Sequence, residues 1–193
     1  MSWEFVLPNA LAGDARLAAA PQMDSEAFAG FYERSARPLW AYLARTSGDA
    51  ALAEDLMQES YVRFLCAAQA PSLAAEGEVA ARLYLFRIGT NLLRDHWRRP
   101  RAASIEELPE EFFAASGGAA QTESRMALTP ALGQMKPRER QLLWLAHAEG
   151  YSHREIAQVT GLAAASIRIL LFRARRRIAK LLREQDARAG RAL

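Results

Sequence analysis

The stretch from Lys136 to Leu182 constrains the fold most. Ser152 followed by Glu155 makes a capping box, with the serine hydroxyl placed to accept from an orphan first-turn amide and the glutamate reaching back to the Ser152 amide. A helix is therefore predicted to begin at His153, with Ile156 and the small Ala157 on its inner side. Gly161 stands where the chain must turn sharply and favours a positive φ, and Leu162 plugs the corner. A second helix from about Ala164 carries Ile167, Leu171, Ala174 and Ile178 at intervals of three and four residues, which is a buried stripe. This is a helix-turn-helix pattern. Its second helix also bears Arg168, Arg173, Arg175, Arg176, Arg177, Lys180 and Arg183, more positive charge than solubility requires. Phosphate neutralisation is the natural use of such a helix, against the plainer reading of a solvated C-terminal helix.

Composition bounds what surrounds that motif. A chain of 193 residues, 51% of them hydrophobic, can bury one ordinary core or two small ones. The formal charge of +3 is modest because basic and acidic residues are segregated along the chain. The single cysteine, Cys66, excludes an internal disulfide and a cysteine-rich zinc site, and its place near the end of an apolar helical pattern predicts a small core residue. No run approaches the ~18 consecutive apolar residues of a membrane helix, and the start lacks a charged n-region, so a cytoplasmic protein without membrane insertion is expected.

Two helical blocks flank a loose middle. Residues 1–23 contain Pro8, Gly13 and Pro21 without sustained periodicity and read as a low-order extension. From Asp24, the residues Phe28, Phe31, Tyr32, Leu39, Tyr42 and Leu43 predict helix on both sides of Pro38, which should bend or interrupt it. Gly48 stops that segment and Asp49 caps the next, whose inward face is read as Leu52, Leu56, Met57, Val62, Phe64 and Leu65. In a helix from about Val79 to Arg98, Leu83, Leu85, Phe86, Ile88, Leu92, Leu93 and Trp97 form a broad apolar side. Tyr84, Arg87, Asn91, Arg94, Asp95 and Arg98 share the remaining arc. A ring, an amide and several guanidinium groups suit single-stranded nucleic acid, and an ordinary polar face with an Arg94–Asp95 pair is the alternative.

Between the blocks, Glu106, Glu107, Pro109, Glu110, Glu111, Gly117 and Gly118 mark a flexible acidic linker, in which Ile105, Leu108, Phe112 and Phe113 form a short adhesive segment. Thr129 with Pro130 opens the next helix, and Pro137 opens another after a turn at Lys136. The expected architecture is all-α, two small helical domains joined by that linker, the second a tri-helical or four-helix helix-turn-helix domain. The boundaries read as 1–23 extension, 24–99 first domain, 100–128 linker, 129–185 second domain and 186–193 tail.

Three runs in order, AEDLMQESYVRFL at Ala53 to Leu65, YLFRIGTNLLRDHWRR at Tyr84 to Arg99 and the final helix-turn-helix, resemble the sigma-70 family of bacterial RNA polymerase sigma factors. The match is to the compact extracytoplasmic-function (ECF) group, which keeps the second and fourth conserved regions and a linker. The resemblance implies that Asp55, Gln58 and Glu59 dock on the clamp of the polymerase largest subunit, with the flap as a further polymerase contact, and Arg63 completes the same polar strip on an otherwise buried helix. It implies that Tyr84, Arg87, Asn91, Arg94 and Arg98 melt and read the minus-ten promoter element. It implies that Arg168 and Arg173 contact the major groove of the minus-35 element, on a surface read to include Ser166, Ile169 and Arg176, and that an anti-sigma factor holds the chain inactive. The linker resembles the family's connector toward the RNA exit path.

The sequence departs from the family at several positions. Tyr84 stands where tryptophan is usual, and Gly89 where alanine is, which should loosen that helix by about 1 kcal/mol. Ala163 replaces a serine cap. Ile169 and Leu170 stand where serine and arginine are frequent, which alters promoter preference. A helical wheel puts Ile169 away from the buried stripe, so it should meet either a thymine methyl or an anti-sigma factor. Rival readings are a sigma-like decoy that sequesters an anti-sigma factor, and a plain repressor, which would need no first block of this pattern. An enzyme is not expected, since His96, His147 and His153 are scattered, and no metal or cofactor site is read from the chain.

Overall fold

A computed structural model of the protein describes residues 25–67, 76–98 and 128–189, and these contain helices and no strand. The extension, the linker and the last four residues lie outside them. The first block comprises α1 (Ser25–Ser47), α2 (Ala50–Cys66) and α3 (Gly77–Arg98). The second comprises a helical stretch over 128–133 (α4), then α5 (Pro137–His147), α6 (His153–Thr160) and α7 (Ala164–Ala189).

In the first block, Phe31, Leu39, Tyr42, Leu43, Phe64, Leu85, Phe86 and Leu93 are almost wholly enclosed. Of the two effects expected of Pro38, a bend or an interruption, α1 shows no interruption and runs from Ser25 to Ser47 as one helix. Proline removes one helical hydrogen bond, but Phe31 and Ser35 before it and Leu39 and Tyr42 after it are all buried on α2 and α3, and that packing holds both halves in one helix. The helix ends where Gly48 takes φ 82°, and the Asp49 carboxylate accepts from Leu52 N at 2.9 Å to start α2.

The inward face of α2 is narrower than its hydrophobic pattern suggested. Ala53, Leu56, Met57, Ser60, Tyr61 and Phe64 fill the seam with α1 and α3, whereas Val62 and Leu65 are 56% and 44% exposed and Cys66 is exposed too. Those three project from the opposite side of a helix that is covered on one side only. Gly89 has a packing role that offsets its helix-loosening effect. A Cβ there would stand 3.2 Å from Leu39 Cδ1 and 3.3 Å from Ser60 Oγ, so its absence lets α1 and α2 close on α3.

The first helix of the second block is already under way at Leu128, ahead of the expected start at Thr129 and Pro130, and from Lys136 onward the block follows its local signals. Lys136 N donates to Glu139 Oε2 at 3.1 Å, ahead of Pro137. Ser152 N donates to Glu155 Oε2 at 2.7 Å and Glu155 N to Ser152 Oγ at 3.3 Å. The Ser152 hydroxyl and backbone amide, both beside the Glu155 carboxyl, hold it below its usual range. Gly161 adopts φ 70° and ends α6. The axes of α6 and α7 then turn by 99°, the angle of a helix-turn-helix. Leu142, Leu145, Ile156, Val159, Ile167, Leu171 and Ala174 make its core.

The two blocks pack on one another, α1 against α5 and α3 against α6. Tyr42 Oη, fully buried, accepts from Gln141 Nε2 at 2.6 Å and lies 2.6 Å from Thr90 Oγ1, and burial pushes its phenol up to about 12. Arg140 donates to the Thr46 carbonyl at 2.9 Å. Arg82 forms an ion pair with Glu149, whose side chain is only 4% exposed and also accepts from Trp144 Nε1 at 3.0 Å. Phe86 meets Tyr151 edge to face, with ring centroids 5.8 Å apart.

Candidate polymerase and nucleic-acid interfaces

Three strips face outward from this scaffold. On α2, Asp55, Gln58 and Arg63 are exposed and Glu59 partly so. Arg63 Nε donates to Glu59 Oε1 at 2.6 Å, and Gln58 Nε2 to Glu54 Oε1 at 3.3 Å. Val62 and Leu65 lie within this strip, giving it an apolar centre that the sequence reading placed in the core. Apolar side chains ringed by polar ones are the composition of a docking surface.

On α3, Arg87, Arg94 and Arg98 are exposed, while Asn91 and Tyr84 are partly buried. Arg94 Nη2 donates to Asn91 Oδ1 at 2.9 Å, so the amide is pre-oriented with its NH₂ turned away from the guanidinium. Asp95 pairs at 3.8 Å with Arg98. Tyr84 leans on Phe64 with centroids 6.0 Å apart, which anchors the ring while leaving part of it accessible. The arc that the helical wheel assembled is therefore a continuous surface.

On α7, Ser166, Arg168, Ile169, Arg173 and Arg176 are all exposed. Ile169 is 55% exposed, as its place on the wheel required, and Leu170 is half-buried. Phe172 was absent from the candidate set, yet it is 57% exposed beside Ile169 with the Arg176 guanidinium 5.8 Å from its ring centre. An aromatic residue outside the three-and-four stripe was the signal for it. Arg175 faces elsewhere and donates to His147 Nε2 at 3.2 Å.

Among the described residues no group of His, Cys, Asp or Glu could hold a metal ion, and no single helix is long and apolar enough to cross a membrane. His96, His147 and His153 lie on three different helices, α3, α5 and α6.

A helix-turn-helix with a cationic second helix, packed on a three-helix block with its own cationic and amphipathic strips, defines a helical DNA-binding protein with two reading modules. Residues 31–103 match the model of sigma-70 region 2, and residues 125–178 match that of sigma-70 region 4. The chain belongs to the sigma-70 family of RNA polymerase sigma factors, in its ECF group. It is 28% identical over 181 residues to the ECF RNA polymerase sigma factor SigL of Mycobacterium tuberculosis, covering 88% of this chain and 97% of that one. It is 28% identical over 172 residues to the RNA polymerase sigma factor CarQ of Myxococcus xanthus, covering 86% and 95%. Among solved structures it is similar to CnrH in complex with the cytosolic domain of CnrY, with TM-score 0.59 and 26% identity over 90% of this chain and 98% of that one.

On this surface, Ile169→Ser is expected to relax selectivity at one base pair of a minus-35 duplex, and Arg173→Ala to weaken binding to all duplexes. The arginine variant should lower the slope of log affinity against log salt by about 1, the contribution of a single phosphate contact. Fluorescence anisotropy across a salt series checks both. Unchanged base preference in the serine variant would leave Ile169 to a protein partner.

Proposed function

We propose that this chain directs core RNA polymerase to a small set of promoters through a division of labour among the three strips. The α2 strip of Asp55, Gln58, Glu59 and Arg63, with Val62 and Leu65 at its centre, docks on the largest-subunit clamp. Tyr84, Arg87, Asn91, Arg94 and Arg98 on α3 capture an unstacked base and the melted strand at the minus-ten element. Ser166, Arg168, Ile169, Arg173 and Arg176 on α7 enter the minus-35 major groove, while the second block also meets the flap. The chain does no covalent chemistry and works in the cytoplasm. An anti-sigma factor is this chain's proposed inhibitor, and among the similar structures CnrH is bound to a protein partner, the cytosolic domain of CnrY.

The observation that carries this reading is the segregation of chemistry onto three solvent-facing strips of one fold, each on a different helix. It also implies rearrangement. Promoter elements named minus-ten and minus-35 lie about 25 base pairs apart, roughly 85 Å at about 3.4 Å per base pair. A Cβ at Gly161 would stand 3.9 Å from Arg94 Nη1, so the turn before α7 lies against the minus-ten strip. The packed arrangement cannot reach both elements, and the blocks must separate on the promoter.

Reconstitution tests the proposal. Purified chain with core enzyme should produce promoter-specific transcripts that neither produces alone. Tight binding to an anti-sigma factor with no initiation on any promoter occupied in the cell would establish the decoy role instead.

A further inference from the structure

A cavity of about 270 Å³ opens where the end of α1 meets the second block. Leu132, Leu143, Trp144 and Ile178 form its floor, and Arg45, Arg140, Arg175 and His147 stand around it, with no carboxylate among the lining residues. Burial lowers both Arg45, to about 10, and Arg140. Among the described residues, Arg140 donates only to the carbonyl oxygens of Thr46, Leu132 and Gly133, and its Nε has no acceptor. An apolar floor under a cationic rim calls for an occupant that is apolar on one side and anionic on the other.

The chain carries such a segment in the linker that leads to Leu128. Glu106, Glu107, Glu110 and Glu111 alternate with Ile105, Leu108, Phe112 and Phe113, and nothing in the promoter-reading role uses them. Leu128, the first described residue after the linker, itself lines the cavity and is 37% exposed. The linker is thus covalently tied to the rim, and a tether of this kind gives its segment a local concentration on the order of millimolar. We propose that this cavity is the docking site of the chain's own segment Ile105–Phe113, with the phenylalanines on the apolar floor and the glutamates against the arginines. The occupant touches both blocks at once, because Arg45 belongs to α1 and the other lining residues to the second block. It therefore adds to the packing of α1 on α5 and lies where a partner of the second block would otherwise bind.

The test uses the full chain with the photo-crosslinker p-benzoylphenylalanine in place of Phe112, irradiated at low concentration and mapped by mass spectrometry. Adducts are expected on α5 or α7, near Leu143, Trp144 or Ile178. Their yield should fall ~tenfold with Glu110→Lys plus Glu111→Lys, fall similarly with Arg175→Glu, and recover in part when the reversals are combined. Arg175 is exposed and outside the proposed DNA strip, and circular dichroism checks that each variant keeps its fold. Adducts confined to α2 or α3, adducts only between two copies, no adduct at all, or a yield indifferent to the charge reversals would each overturn the proposal.

Discussion

Arg82→Ala should loosen the two blocks from one another. The Glu149 side chain is 4% exposed, and without Arg82 its carboxylate keeps, among the described residues, the Trp144 indole as its donor at 3.0 Å. A carboxylate left buried without its cation costs about 3 kcal/mol or more, enough to shift a packing equilibrium by roughly 100-fold. The variant also loses the guanidinium over the Phe86 ring, 5.6 Å from its centre, at the same seam. Small-angle scattering should report a larger radius of gyration with helical content unchanged, and Arg82→Lys should fall between the two. A radius and thermal transition equal to those of the parent chain would show that the ion pair does not hold the blocks together.

Separating the strips by mutation has the second large effect. Arg87→Ala with Asn91→Ala should leave core-polymerase affinity within about twofold while open-complex formation falls roughly 30-fold or more, since lost contacts to an extruded base cost about 1–3 kcal/mol. Asp55→Ala or Gln58→Ala should do the reverse, weakening core binding while the chain still binds a minus-35 duplex. Val62→Asp should resemble the second group, because it places a charge in the apolar centre of the α2 strip. Core binding by surface plasmon resonance and promoter opening by permanganate footprinting read the two arms. Parallel loss of both activities in every variant, with folding preserved, would refute the division.

The large part of the candidate surface that was legible in the sequence rested on helical periodicity. Tyr84, Arg87, Asn91, Arg94 and Arg98 share an arc because a helix repeats every 3.6 residues, whatever packs behind it, and the same rule exposed Ile169. Periodicity misled on α2. It counts apolar residues without knowing how many neighbours a helix has, so Val62, Leu65 and Cys66 were assigned to a core that does not reach them. At Pro38 the local penalty does not break the helix, because burial of the residues around it outweighs the lost hydrogen bond.

What the amino-acid sequence determined by itself was therefore local. The Ser152–Glu155 cap, the turn at Gly161, the Asp49 cap and the polar arcs of α3 and α7 are each set by residues within a turn or two of one another, whose hydrogen bonds and steric limits act at short range. Only the tertiary structure decided which helix faces are covered and that the two blocks close on each other. Tyr42 meets Gln141, Thr46 meets Arg140 and Arg82 meets Glu149 across 99, 94 and 67 residues of sequence. Such contacts depend on the relative placement of helices, which no local pattern of residues encodes.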